Sequence, residues 1–165
     1  MADKSLPTAQ VLTMLAAAPP RIAALTASRD PAQLRARPAA EEWSANEVLA
    51  HLRACADMWG NSIMPMLSKD RPTLRAINPR TWIKQTDYRE LTFGPSLDAF
   101  AAQRAELLAV LEPLPPGGWT RTATVTGAGS ILDRTVLAYA QRLARHERPH
   151  IKQIERIVHT LRAHQ

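Results

Sequence analysis

The chemistry this chain can do rests first on its histidines. Of five in 165 residues, His146 and His150 stand four apart in RHERPHIKQI, residues 145–154. That spacing presents both rings from one helical face, close enough to share a tetrahedral ion. Long helices also carry such pairs as partly buried imidazoles, satisfied by backbone or carboxylate partners. Pro149 lies between them and cannot donate to the Arg145 carbonyl, so a bend is expected there. His51, far off in the sequence, lies one turn inside the capped helix start WSANEVLAHL and beside an apolar stripe. A third imidazole facing the other two would complete a three-nitrogen site with open positions. Reactive metal centres have that form, whereas a structural site is closed by four protein ligands. His159 and His164 fall outside the apolar stripe near the C-terminus and are poorer candidates.

Several neighbours invite two readings. Glu47, one turn before His51, is either a capping residue or a group that orients the imidazole. Glu147 either pairs with Arg104, which falls on an apolar helix face and needs a partner if buried, or supports a histidine. Cys55, one turn beyond His51, reads as a small buried hydrophobe unless its sulfur approaches the metal. Trp59 and Trp82 read as core residues before pocket residues. Arg75, Arg80 and Lys84 could recognise an anionic substrate or thiol, although solvated charge is the plainer expectation.

Four apolar-periodic segments, separated by proline and glycine punctuation, must position these groups. The first covers about 8–28, with Pro19 and Pro20 expected to bend or restart it. A connector from Asp30-Pro31 runs through Ala40. In the second, Ser44 and Glu47 form an S-x-x-E capping box, with Trp43 and Val48 as its hydrophobic staple. Its stripe runs Val48, Leu52, Cys55, Trp59, Ile63, Met66 at helical spacing. Residues 69–94 form a long crossing, with a short helix capped by Asn78-Pro79 and ending near Gln85. The third long helix spans about 96–112 and ends at PLPPGGW. Residues 119–130 are expected to be irregular or a short hairpin. The last helix is expected over about 130–162, with Arg142, Arg145, Arg148, Lys152 and Arg156 turned away from its apolar stripe.

Length fits one domain, residues 1–165, with a real core. A composition rich in alanine, leucine and arginine favours an all-α fold. The expected setting is a reducing cytoplasm: the N-terminus lacks a signal-peptide pattern, no apolar run is long enough to span a bilayer, and Cys55 has no intrachain partner. The net charge of +6 suggests nucleic acid, but the basic residues are scattered and no aromatics interleave with them, so nucleic-acid binding is not expected.

The stretches EEWSANEVLAHLRACADMW and RLARHERPHIKQI together resemble the DinB/YfiT-like superfamily. FAAQRAELLAVL resembles that family's third helix, including its arginine, and Gln153 its usual continuation after the second C-terminal histidine. Pro149 departs from the pattern, which usually has a helix-compatible residue there. The resemblance implies a four-helix bundle with a long crossing between helices 2 and 3, often a homodimer. It implies His51, His146 and His150 as ligands of a divalent ion, commonly zinc, nickel or iron. It also implies a small-molecule substrate. Relatives are transferases or isomerases using low-molecular-weight thiols, or amidase-like hydrolases. A non-catalytic metal-binding module with a structural or stress-sensing role is the alternative.

Overall fold

The computed structural model describes residues 5–163, so His164 lies outside the described residues. Its elements in chain order are α1 (Thr8–Thr26), α2 (Pro31–Arg35), α3 (Ala45–Ser68), β1 (Thr73–Arg75), α4 (Pro79–Trp82), α5 (Phe93–Leu111), α6 (Pro116–Trp119), β2 (Thr122–Thr126), β3 (Leu132–Thr135) and α7 (Val136–Ala163). The four long helices form the expected bundle. In it α7 packs against α1 and α3, and α5 packs against the same two. The core is filled from all four, by side chains such as Leu15, Leu52, Phe100 and Leu143.

Local chemistry explains where each helix starts. Ser44 Oγ accepts from the Glu47 N–H at 3.1 Å, while Glu47 Oε2 accepts from the Ser44 N–H at 2.8 Å. Two orphan donors of α3 are thereby satisfied, as the capping box predicts. Asn78 caps α4 through a bond from the Arg80 N–H at 2.9 Å, and a 3₁₀ turn extends it over Ile83–Gln85. At the other end of α3, the Arg121 guanidinium donates to the Met66 and Lys69 carbonyls at 2.7 and 2.8 Å, a cation serving the negative end of the helix.

The prolines do not divide their helices. α1 runs through Pro19 and Pro20 without a restart, and α7 continues through Pro149. In α1 the reason is visible. Pro19 has no N–H for the Leu15 carbonyl four residues earlier, and Arg104 of α5 donates to that carbonyl instead, at 2.8 Å.

Two boundaries differ from the sequence expectation. α5 begins at Phe93 rather than Ser96, because Pro95 sits in the first turn, where a missing N–H costs nothing. α7 begins at Val136, since residues 132–135 pair as a strand. β2 and β3 form an antiparallel hairpin in the register Thr122↔Thr135 and Thr124↔Asp133. Its turn uses Gly127 and Gly129 at φ 83° and 89°, a conformation that favours glycine. β1, from the crossing, adds to β2 in parallel, so part of the crossing is strand. Among the described residues no helix is long and apolar enough to cross a membrane.

Asp57 of α3 fixes the rest of the crossing. It accepts from Trp82 Nε1 at 3.0 Å, Tyr88 Oη at 2.6 Å and Gln103 Nε2 at 2.7 Å. One carboxylate thus ties the crossing and α5 to the helix that carries His51.

Candidate metal centre

α3 and α7 meet along their lengths, and the three histidines face one another across that seam. Ring centroids lie 5.1 Å apart for His51 and His146, 4.8 Å for His51 and His150, and 4.6 Å for His146 and His150. The Nε2 atoms of His51 and His146 are 3.2 Å apart. Two nitrogens bound to one tetrahedral zinc at about 2.0 Å each would be about 3.3 Å apart, so this pair already has ligand spacing. His150 donates from Nδ1 to Gln153 Oε1 at 2.9 Å. Because an amide oxygen only accepts, Nδ1 carries a proton in this bond, which leaves Nε2 as the atom that can face an ion. That is how an outer partner fixes a ligating tautomer.

Burial and neighbouring positive charge keep protons off two of the rings. Burial, then the positive fields of His150, Arg80 and Arg89, lower His51 to about 4. Burial, then His150, His51 and Arg142, lower His146 to about 4 as well. Both rings are therefore neutral at pH 7, with lone pairs available to an ion. His146 Nδ1 is buried without a hydrogen-bond partner among the described residues.

Aromatic walls hold the rings. Trp59 meets His146 edge-on at 4.9 Å. Trp43, expected only as a staple, lies 5.3 Å from His51 and stacks nearly parallel to His150 at 6.5 Å.

Cys55 is buried, as expected, but its sulfur also approaches the imidazoles. Its Sγ is 3.6 Å from His51 Nε2 and 3.9 Å from His146 Nε2. One ligand atom each from His51, Cys55 and His146 gives a set lying within 4.8 Å of one another. Burial, then the Glu147 charge, push the thiol up to about 12, against a smaller opposing effect of Arg142. With no ion it is therefore a protonated thiol. The sequence signal was its position one turn past His51, which places both groups on one face.

The two carboxylates are committed elsewhere. Glu47 is held by the cap and by Arg37, whose Nε donates to Oε2 at 3.0 Å. Glu147 is buried and forms a two-pronged pair with Arg104, one bond being 3.0 Å. Of the two readings for each residue, the capping role and the structural pairing are those observed.

Two openings reach the cluster. A cavity of about 500 Å³ is lined by Trp43, His150, Gln153 and Arg156. A second, of about 240 Å³, is lined by His51, Cys55, Trp59, Arg80, Arg142 and His146. Arg142 is exposed, as expected of the outer face, and also lies over the Trp59 ring at 5.0 Å. Of the crossing's basic residues, Arg80 reaches this cavity, whereas Arg75 borders a different one beside Trp82. His159 is exposed and stands apart from the cluster.

The model of the DinB superfamily matches residues 14–154. No curated protein matches the chain. Among solved structures it is similar to YfiT from Bacillus subtilis, described as a probable metal-dependent hydrolase with an unusual four-helix bundle topology. The TM-score is 0.78 at 16% identity, covering 95% of this chain and 90% of that one. At such identity the likeness is one of fold.

Proposed function

The chain belongs to the DinB superfamily, and on that premise we propose that it is a divalent-metal enzyme whose ion is held by His51, His146 and His150. The observation that carries this reading is the convergence of three imidazole rings from two helices, with every centroid pair between 4.6 and 5.1 Å. A divalent ion bound there would supply Lewis acidity, lowering the pKa of a thiol or water.

The chain's own residues fit the rest of the task. His51 and His146 stay neutral at pH 7, and Gln153 fixes the tautomer of His150. Trp43 and Trp59 pack against the histidine rings. Arg80 and Arg142, at the smaller opening, suit the carboxylate of a substrate or of a low-molecular-weight thiol. Transfer involving such a thiol is the reaction class we propose. The fold shared with YfiT supports water as the competing nucleophile.

The test is elemental analysis of protein purified without chelator, followed by assay of the loaded protein with thiol plus an electrophile, and with amides and esters. About one ion per chain, lost in His150→Ala, is expected, with thiol adducts forming only when metal is present. A native protein free of metal and unable to take it up would end the metal reading. Amide or ester cleavage without thiol adducts would replace transfer with hydrolysis.

A further inference from the structure

We propose that Cys55 Sγ is itself a ligand of the ion, so that the centre is a mixed nitrogen–sulfur site. This rests on the metal reading above and deepens it.

The geometry carries the inference. A zinc ion with a nitrogen at about 2.0 Å and a sulfur at about 2.3 Å separates the two donors by about 3.5 Å at the tetrahedral angle. Cys55 Sγ lies 3.6 Å from His51 Nε2 and 3.9 Å from His146 Nε2, while those nitrogens are 3.2 Å apart. Two edges lie within about 0.1 Å of the tetrahedral separations, and the third, from Sγ to His146 Nε2, is about 0.4 Å longer, so one small ion fits with that angle opened. The backbone explains why: His51 and Cys55 occupy successive turns of α3, and His146 faces them from α7. The sulfur also borders the opening that His51 and His146 line.

A sulfur ligand changes what the site selects. Three imidazoles suit zinc, nickel and iron alike, whereas an added thiolate favours a thiophilic ion such as zinc. It also leaves the centre one unit less positive. In coordination the S–H bond breaks, the sulfur–metal bond forms and the proton passes to solvent, with no oxidant or reductant needed. Zinc can expand to five ligands, which would leave coordination room for His150 and a substrate atom.

Cobalt(II) is the probe, added to the ion-free full chain in thiol-free buffer. Because Cys55 is the only cysteine, a sulfur-to-cobalt charge-transfer band in the near ultraviolet has one possible source. The expected spectrum has that band together with the visible bands of tetrahedral cobalt. Cys55→Ser should keep the visible bands and lose the ultraviolet one, with Cys55→Ala as the second variant if serine disturbs folding. Visible bands without the charge-transfer band in the unmodified chain would overturn the sulfur ligand and leave the three-imidazole centre standing. No cobalt spectrum at all would overturn both.

Discussion

Glu47 sits one turn before His51, yet its carboxylate closes the start of α3 and takes no part in orienting the imidazole. Burial alone would raise its pKa. The Arg37 hydrogen bond, the Ser44 backbone bond and the Arg37 charge outweigh burial and hold it below the ordinary 4.5. The unfolded chain therefore takes up this proton more readily than the folded one as the solution is acidified. The contribution is complete above 4.5 and is lost as pH falls through the depressed folded value. Glu47→Gln keeps a residue able to close the capping box but removes the charge. Urea midpoints measured from neutral to acid pH should fall less steeply in this variant, with a loss at neutral pH of about 1 kcal/mol or less. An unchanged acid slope would mean that Glu47 is not a source of acid sensitivity. At this scale the sequence was largely legible, since capping boxes and i, i+4 histidines are local patterns. Cys55 was not, because whether a buried sulfur meets carbon or nitrogen depends on a helix some ninety residues away.

Elements are joined here by a polar contact at the centre of an apolar bundle. Arg104 of α5 reaches Glu147 of α7 and the Leu15 carbonyl of α1, bracing three helices from inside. A pair this deeply buried gains little over apolar residues of similar shape, but breaking it strands a charge. Arg104→Met should therefore cost about 3–5 kcal/mol, a large share of a total stability of about 5–15 kcal/mol. Arg104→Met combined with Glu147→Leu should recover most of that loss, with the Leu15 carbonyl still lacking its donor. Urea unfolding of both single variants and the double variant measures this. Additive losses would show that the two groups do not act as a pair. The sequence showed an arginine on an apolar face and a carboxylate at the stripe edge, and offered their pairing as one of two readings without deciding between them. It placed the long helices well, because their apolar periodicity persists over several turns. A short hairpin was one of two expectations for residues 119–130, but β1 and β3 escaped it. β1 has three residues and β3 four, too short for alternation to show, and their pairing is set by the return of the crossing to the hairpin.

At the scale of the molecule, the candidate centre joins the two helices that the fold must bring together. His51 and His146 are 95 residues apart in sequence, so an unfolded chain cannot hold one ion with both at little entropic cost. An ion that binds only the folded state adds RT ln(1 + [L]/Kd), about 2.7 kcal/mol at a hundredfold excess over Kd. For a domain of this size each kcal/mol moves Tm by about 2–4 °C, so saturating zinc should raise Tm by about 5–10 °C. A chelator should reverse the rise. His51→Ala should lower the shift far more than it lowers the Tm of ion-free protein, because the neutral imidazole it removes lies at a seam and not in the apolar core. Differential scanning calorimetry with and without zinc measures both quantities. A zinc-induced shift retained in full by His51→Ala would place the ion elsewhere and detach the seam between α3 and α7 from metal binding.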